Sequence, residues 1–298
     1  MRSGRLALGG LRLTLIAALA AFGAAWHAGA QDRAFQAPRP VTITGYSGDA
    51  MEPFITRDGR YLLFNNRNDP PERTDLFYAE RVDDFSFVFR GPVGGANSPA
   101  LDGVASVDSA GTIYFVSTRS YRQTQSSLYR GRFAAGVVSG VDLAPGVSPH
   151  KPGIVDFDAE ISGDGQSLYV AEGDFRPFGR RLKAARIVLF HRLGAGFQRA
   201  EESDRLLARI NGEGLAYAPS ISGDGLELFF TRLSAIKPGA APQLYRVARR
   251  AVTEPFGPPT RVETGAAFVE APSLTADGRG LYFHRREGDR YSLWRMQR

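Results

Sequence analysis

Five times this chain repeats one phrase: a short strand, a tight glycine-bearing turn, then an apolar run rich in aromatics. The copies are Glu52 to Phe64, Val104 to Phe115, Asp158 to Val170, Ala218 to Phe230 and Ala271 to Phe283. Self-similarity at a fixed period selects a repeat architecture before any single residue is interpreted. The turn glycines Gly59, Gly111, Gly165, Gly225 and Gly278 are 52, 54, 60 and 53 residues apart. Glycine supplies the positive φ that tight hairpins need. The runs that follow, such as Leu62-Leu63-Phe64 and Leu228-Phe229-Phe230, favour strands, and nothing in the chain sustains helical spacing.

A third strand is expected in each copy at Leu76, Leu128, Val188, Leu244 and Leu293, and a fourth near Phe85, Phe133, Phe197 and Phe256. Glu201 to Gly214 has room for a helical turn around Leu206 to Ile210. Four short antiparallel strands per repeat make the blade of a β-propeller. The last copy ends at Arg298 with no fourth strand. Phe35-x-x-Pro38-x-x-Val41 has the spacing of Phe256-x-x-Pro259-x-x-Val262, which leads out of the fourth copy. The N-terminal segment is therefore expected to complete the C-terminal blade, closing five blades into one all-β domain over residues 31–298. Closure leaves no free sheet edge to template aggregation. A degenerate sixth blade is the rival, and no stretch is left over to build it.

Residues 1–30 read as a signal peptide: Arg2, Arg5 and Arg12, an apolar Leu13 to Ala25, then Ala28-Gly29-Ala30. Cleavage is expected after Ala30, since the apolar run is shorter than the roughly 20 residues of a membrane-spanning helix. The mature protein is expected to be periplasmic or secreted, monomeric, and without a transmembrane segment. Losing three arginines lowers the formal charge from +6 to +3. With no basic block or basic helix, that excess does not argue for nucleic acid. Cysteine is absent, which excludes disulfides, thiol catalysis and a lipid-modified cysteine.

Pro219, Ser222-Gly-Asp-Gly225, Phe229-Phe230, Arg232 and Leu244-Tyr245 together resemble the TolB-type, WD-repeat-like propeller repeat of exported bacterial proteins. Pro272, Thr275-Ala-Asp-Gly278, Tyr282-Phe283, Arg285 and Leu293-Trp294 do so nearly as well. The second copy departs, with Ala105 for the proline and Ser109-Ala110-Gly111 for the turn; the third has Ala159 and lacks the arginine. The resemblance spans the mature chain but not TolB's separate α/β domain. It implies a propeller fold and export, and says little about a substrate.

In a propeller the first strand of each blade lines the axis, and here the residues leading into those strands are acidic: Glu52, Asp102, Asp156, Asp158, Glu160 and Glu270. Strand alternation places Asp156, Asp158 and Glu160 on one face, where they are either solvated or neutralised by a hard cation such as calcium. Glu52, Asp158 and Glu270, one from each of three blades, are the set that a glycoside hydrolase or lyase would use, with one carboxyl protonated and another ionised. Arg67, Arg119, Arg232 and Arg285, with His284, recur beyond the second-strand aromatics. They suit carboxylates or sulfates on a polysaccharide or protein partner, or simply ion pairs belonging to the repeat. Tyr121, Phe175, Phe178 and Tyr291 are loop aromatics able to stack on a sugar. There is no G-x-S-x-G elbow and no His-x-x-x-His pair. The expected function is a non-catalytic module binding an envelope protein or polysaccharide; the alternative is a carboxylate-dependent glycan enzyme at the channel mouth.

Overall fold

In the computed structural model, which describes residues 34–68, 73–148, 150–176, 182–237 and 239–298, each repeat is a four-stranded antiparallel blade, five in all. The signal-peptide expectation lies outside the described residues, and no helix among those described is long and apolar enough to cross a membrane. Blade 1 is built from β3 (Met51–Ile55), β4 (Tyr61–Asn65), β5 (Leu76–Arg81) and β6 (Ser86–Pro92). Blade 2 contains β7 (Asp102–Val107), β8 (Thr112–Ser117), β9 (Leu128–Ala134) and β10 (Val137–Leu143). Blade 3 contains β11 (Ile154–Ile161), β12 (Ser167–Asp174), β13 (Ala184–Leu193) and β14 (Gly196–Arg199). Blade 4 contains β15 (Leu215–Ile221), β16 (Glu227–Leu233), β17 (Gln243–Ala248) and β18 (Thr260–Arg261).

Blade 5 consists of β19 (Val269–Leu274), β20 (Gly280–Glu287), β21 (Arg290–Gln297) and, as its outer strand, β1 (Arg39–Pro40) from the other end of the chain. Arg39 faces Arg295 and Pro40 faces Trp294. The Gln36 and Val41 amides donate to the carbonyls of Gln297 and Leu293 at 2.8 and 2.9 Å. The next strand, β2 (Thr42–Thr44), adds in parallel to β6 of blade 1. The N-terminal segment thus fastens the last blade and then the first.

The turns show why the repeat is written with Ser/Thr-x-Asp-Gly. In blades 1, 3, 4 and 5 the hydroxyl of Thr56, Ser162, Ser222 or Thr275 donates to the aspartate two residues on, each at 2.6 Å. The glycine that follows sits at φ 70 or 71°. In blade 2, Asp108 does the capping from an earlier position, accepting the Thr112 amide at 2.7 Å. Phe133 is not at a fourth strand as expected. It belongs to β9, and the hairpin turns at Ala135-Gly136, both at positive φ. The helical turn expected around Leu206 to Ile210 forms slightly earlier, as α1 (Ser203–Leu206), and helps bury Leu206, Leu207 and Ile210 between blades 3 and 4.

Apolar side chains fill four seams between neighbouring blades. Each fully buried Leu or Phe contributes about 1.5–3 kcal/mol of transfer free energy. Arginines at the ends of third strands add a recurring lock. Arg192, Arg249 and Arg298 each donate Nε–H to the carbonyl of the turn glycine in their own blade, at 2.6, 2.8 and 2.7 Å. Each also reaches into the preceding blade, to Tyr114, Tyr169 and Glu227 respectively.

Candidate functional site at the propeller mouth

The five inner strands β3, β7, β11, β15 and β19 each carry a register shift next to the small or proline residue of the repeat. At four of these bulges a non-glycine residue has positive φ: Glu52 at 50°, Val104 at 54°, Ala218 at 48° and Ala271 at 56°. Such a conformation costs on the order of 1–2 kcal/mol per residue and re-aims the side chain. All four strained amides are held from the preceding blade, that of Ala218 by the Asp158 carboxyl. Val104 donates to Asn65 Oδ1 at 3.1 Å, Ala271 to Thr231 Oγ1 at 3.0 Å, and Glu52 to His284 Nδ1 at 3.2 Å. Asn65, Thr231 and His284 occupy one equivalent position, late in the second strand.

His284 does more than its counterparts. Its ring is fully buried, and because Nδ1 accepts, the ring proton sits on Nε2. That N–H donates to Glu270 Oε2 at 3.2 Å, while the Tyr217 hydroxyl donates to Glu270 Oε1. One oxygen of Glu52, one of Glu270 and a ring nitrogen of His284 all lie within 4.8 Å of one another. Asp158 completes the group. Burial, and then the charges of Glu160 and Glu270, raise its carboxyl well above the usual range, against hydrogen bonds from the Ala159 and Ala218 amides. Burial is also the main cause that pushes Glu52 up to about 8, with Asp158 and Glu270 adding to it and His284 opposing. Glu52 and Glu270 keep partial access to solvent. Glu52, Asp158 and Glu270 therefore face one another, with no Arg or Lys ion-paired to them among the described residues.

Half-buried aromatics flank these acids. Phe157 lies 5.8 Å from Tyr217, and Phe268 lies 5.9 Å from Tyr291, which is itself 5.7 Å from His284. Between Glu52 and Asp158 the axis narrows to a space of about 20 Å³ ringed by all five blades, room for about one water. Arg57 reaches past blade 2 to Glu160 of blade 3 at 2.8 Å and to the Ile161 carbonyl at 2.6 Å. Glu160 also accepts the Ser106 hydroxyl at 2.7 Å.

Asp156, Asp158 and Glu160 do not share the face that strand alternation implies. The bulge between Asp156 and Asp158 inserts Phe157 and breaks the period of two. Asp156 accepts from Ser148 at 3.0 Å, and burial pushes it up to about 7; Asp158 joins the mouth; Glu160 pairs with Arg57. A calcium ion held by the three together has no geometric support. At the mouth, both ring nitrogens of His284 are already engaged, so it has no lone pair to offer a metal.

The four arginines are spread out and engaged. Arg67 pairs with Asp49 at 2.9 Å, donates to the Asp289 carbonyl and lies over the Tyr291 ring. Arg119 binds buried Asp102 at 2.6 Å; Arg232 donates to the Ile210 carbonyl at 2.8 Å; Arg285 pairs with Glu287 and stacks on Trp294. Phe175 packs on Phe157, and Tyr121 donates to the Ile154 carbonyl at 2.8 Å; Phe178 lies outside the described residues. Tyr217 escaped the sequence reading, although it precedes Ala218-Pro219 just as Glu270 precedes Ala271-Pro272. Aligning the repeats would have placed both side chains at the mouth.

No family model matches the chain, and no curated protein does. Solved structures match it as a fold. A family 117 glycoside hydrolase from Zobellia galactanivorans is similar at a TM-score of 0.55 and 11% identity, over 89% of this chain and 90% of that one. The catalytic domain of the Coprinopsis cinerea GH62 α-L-arabinofuranosidase is similar at 0.50 and 12%, over 89% and 96%. TolB from Acinetobacter baumannii is similar at 0.47 and 12%, over 84% of this chain and 55% of TolB, so the match spans about half of that protein.

Proposed function

We propose that the protein acts on a glycan at the acidic mouth, using Glu52 as the proton donor and Glu270 as its partner. The observation that carries this reading is the convergence of Glu52 and Glu270, from blades 1 and 5, to within 4.8 Å in a setting where one carboxyl is pushed up to about 8 and the other has both oxygens accepting hydrogen bonds. Carboxyl pairs with divergent environments are how acid and base roles are divided. Inverting glycosidases need roughly 6.5–9.5 Å between their carboxyl groups to admit a water, so the close approach favours retention of configuration. The half-buried rings of Phe157, Tyr217, Phe268 and Tyr291 offer faces for a sugar. The likeness to glycoside hydrolases adds only that such a scaffold can carry this chemistry.

A second reading, an exported module that captures an envelope polysaccharide or protein without turnover, uses the same mouth. It is favoured by Glu270 being held on both oxygens, an arrangement that also suits a static wall. A panel of bacterial and plant glycans, scored for both binding and released reducing ends, separates the two. Reducing-end release supports the enzyme; saturable binding without release supports the module; neither outcome on any glycan removes the mouth as a glycan site. Export itself is tested by sequencing the N-terminus of the mature protein, which should begin at Gln31.

A further inference from the structure

The arginine locks differ in one respect that points to a second site, on the turn side between blades 3 and 4. At the seam between blades 4 and 5, the Arg298 guanidinium is met by a carboxylate of the preceding blade. Nη1 donates to Glu227 Oε1 at 3.1 Å and Nη2 to Oε2 at 2.5 Å. At the seam between blades 3 and 4, Arg249 spends Nε on Gly225 and Nη2 on the Tyr169 hydroxyl at 3.4 Å, and Nη1 has no partner. Arg249 is only 8% exposed, so that donor lacks bulk water too. A buried donor left unpaired costs about 1–3 kcal/mol.

The position in register with Glu227 is Ser167. Each opens the second strand of its blade, and each gives its carbonyl to the hydroxyl residue of the turn, Ser162 or Ser222, at 2.8 and 2.9 Å. Serine is too short to bring an oxygen to the neighbouring guanidinium, and a pocket of about 410 Å³ lies there. That volume falls in the range of small-molecule sites, roughly 300–1,000 Å³. Leu189, Leu206, Ile221 and Val252 give it apolar walls, and Arg205 adds a second cation. The acids that line it are already engaged. Asp164 and Asp224 cap their own turns, and Glu202 accepts from His191 Nε2 at 2.9 Å.

We propose that this pocket binds a small organic carboxylate. Its anionic end takes the place that the Glu227 side chain fills one seam further on, and its apolar body rests on Leu189, Leu206, Ile221 and Val252. The site is separate from the mouth and does not depend on what the mouth does. The test is an NMR titration of the intact protein with benzoate and hexanoate against benzamide and hexanol. Both carboxylates should bind saturably, shift the Arg249 Nε–H and His191 resonances, and exceed their uncharged counterparts by about tenfold or more. Ser167→Glu should seat a carboxylate from within, lower affinity for both probes by about tenfold or more, and hold or raise the melting temperature. Arg249→Gln should erase the preference for the charged probes; if that variant fails to fold, Ser167→Glu carries the test. The proposal is overturned if neither carboxylate binds, if charged and uncharged probes bind alike, or if Ser167→Glu leaves affinity unchanged, the pocket then being a water-filled seam.

Discussion

Replacing Glu52 by Gln keeps the shape of the protonated acid while removing its titration, and the consequence for stability has a definite sign. Below about pH 4.5, the ordinary value, the carboxyl is protonated in folded and unfolded chains alike, and pH has no leverage through it. Between there and about 8 the unfolded chain has lost a proton that the folded chain keeps. Stability therefore falls as pH rises, by about 1.4 kcal/mol per pH unit. Above about 8 both states are ionised and the full cost of the desolvated charge, on the order of 5 kcal/mol, is present. Glu52→Gln carries no such slope. Asp158, also raised, tilts both proteins, and because its charge and that of Glu52 act on each other, the difference between them reports Glu52 together with its coupling to Asp158. Urea unfolding of wild type and variant from pH 4 to 9 should give free energies that match near pH 4–5 and diverge steadily, the variant being the more stable at pH 8. Parallel curves, or a variant less stable at every pH, would refute the placement of this carboxyl beside Asp158 and Glu270.

Other outcomes follow from the same contacts. His284→Thr, which installs the residue blade 4 uses at that position, should keep the amide of Glu52 satisfied but leave Glu270 Oε2 without its imidazole donor, a loss of roughly 1–3 kcal/mol in urea melts. His284→Leu leaves that amide and Glu270 Oε2 unpartnered and should lose roughly 1–3 kcal/mol for each in urea melts. Arg57→Met strands the buried charge of Glu160, and a loss of about 3–5 kcal/mol at pH 7 is expected by calorimetry. Deleting residues 34–41 bares the outer edge of β21, so light scattering should report association at concentrations where the full chain stays dispersed.

Much of the scaffold was legible because it is written in side chains. Thr56, Ser162, Ser222 and Thr275 with their aspartates spell the turn, and Phe35-x-x-Pro38-x-x-Val41 betrays the strand that closes the ring. What stayed hidden lies in the backbone. The bulge at Phe157 separates Asp156 from Asp158, and no residue type there announces it. Nor does a run of three residues such as Thr42–Thr44 show that it will pair in parallel. Glu52, Asp158 and Glu270 stand out as carboxylates leading into the inner strands of three different blades, whereas Tyr217 is one of many strand aromatics. The arginines that lock the seams, Arg192, Arg249 and Arg298, stand at the ends of third strands, outside the recurring arginines that follow the second.

The most direct measurement is the initial rate of glycan cleavage by wild type, Glu52→Gln and Glu270→Gln, each first shown to be folded, on the best substrate from the panel. Loss of about 100-fold or more in both variants, as expected of an acid and its partner, would support the mouth as the reacting centre. Wild-type rates in either variant would contradict it.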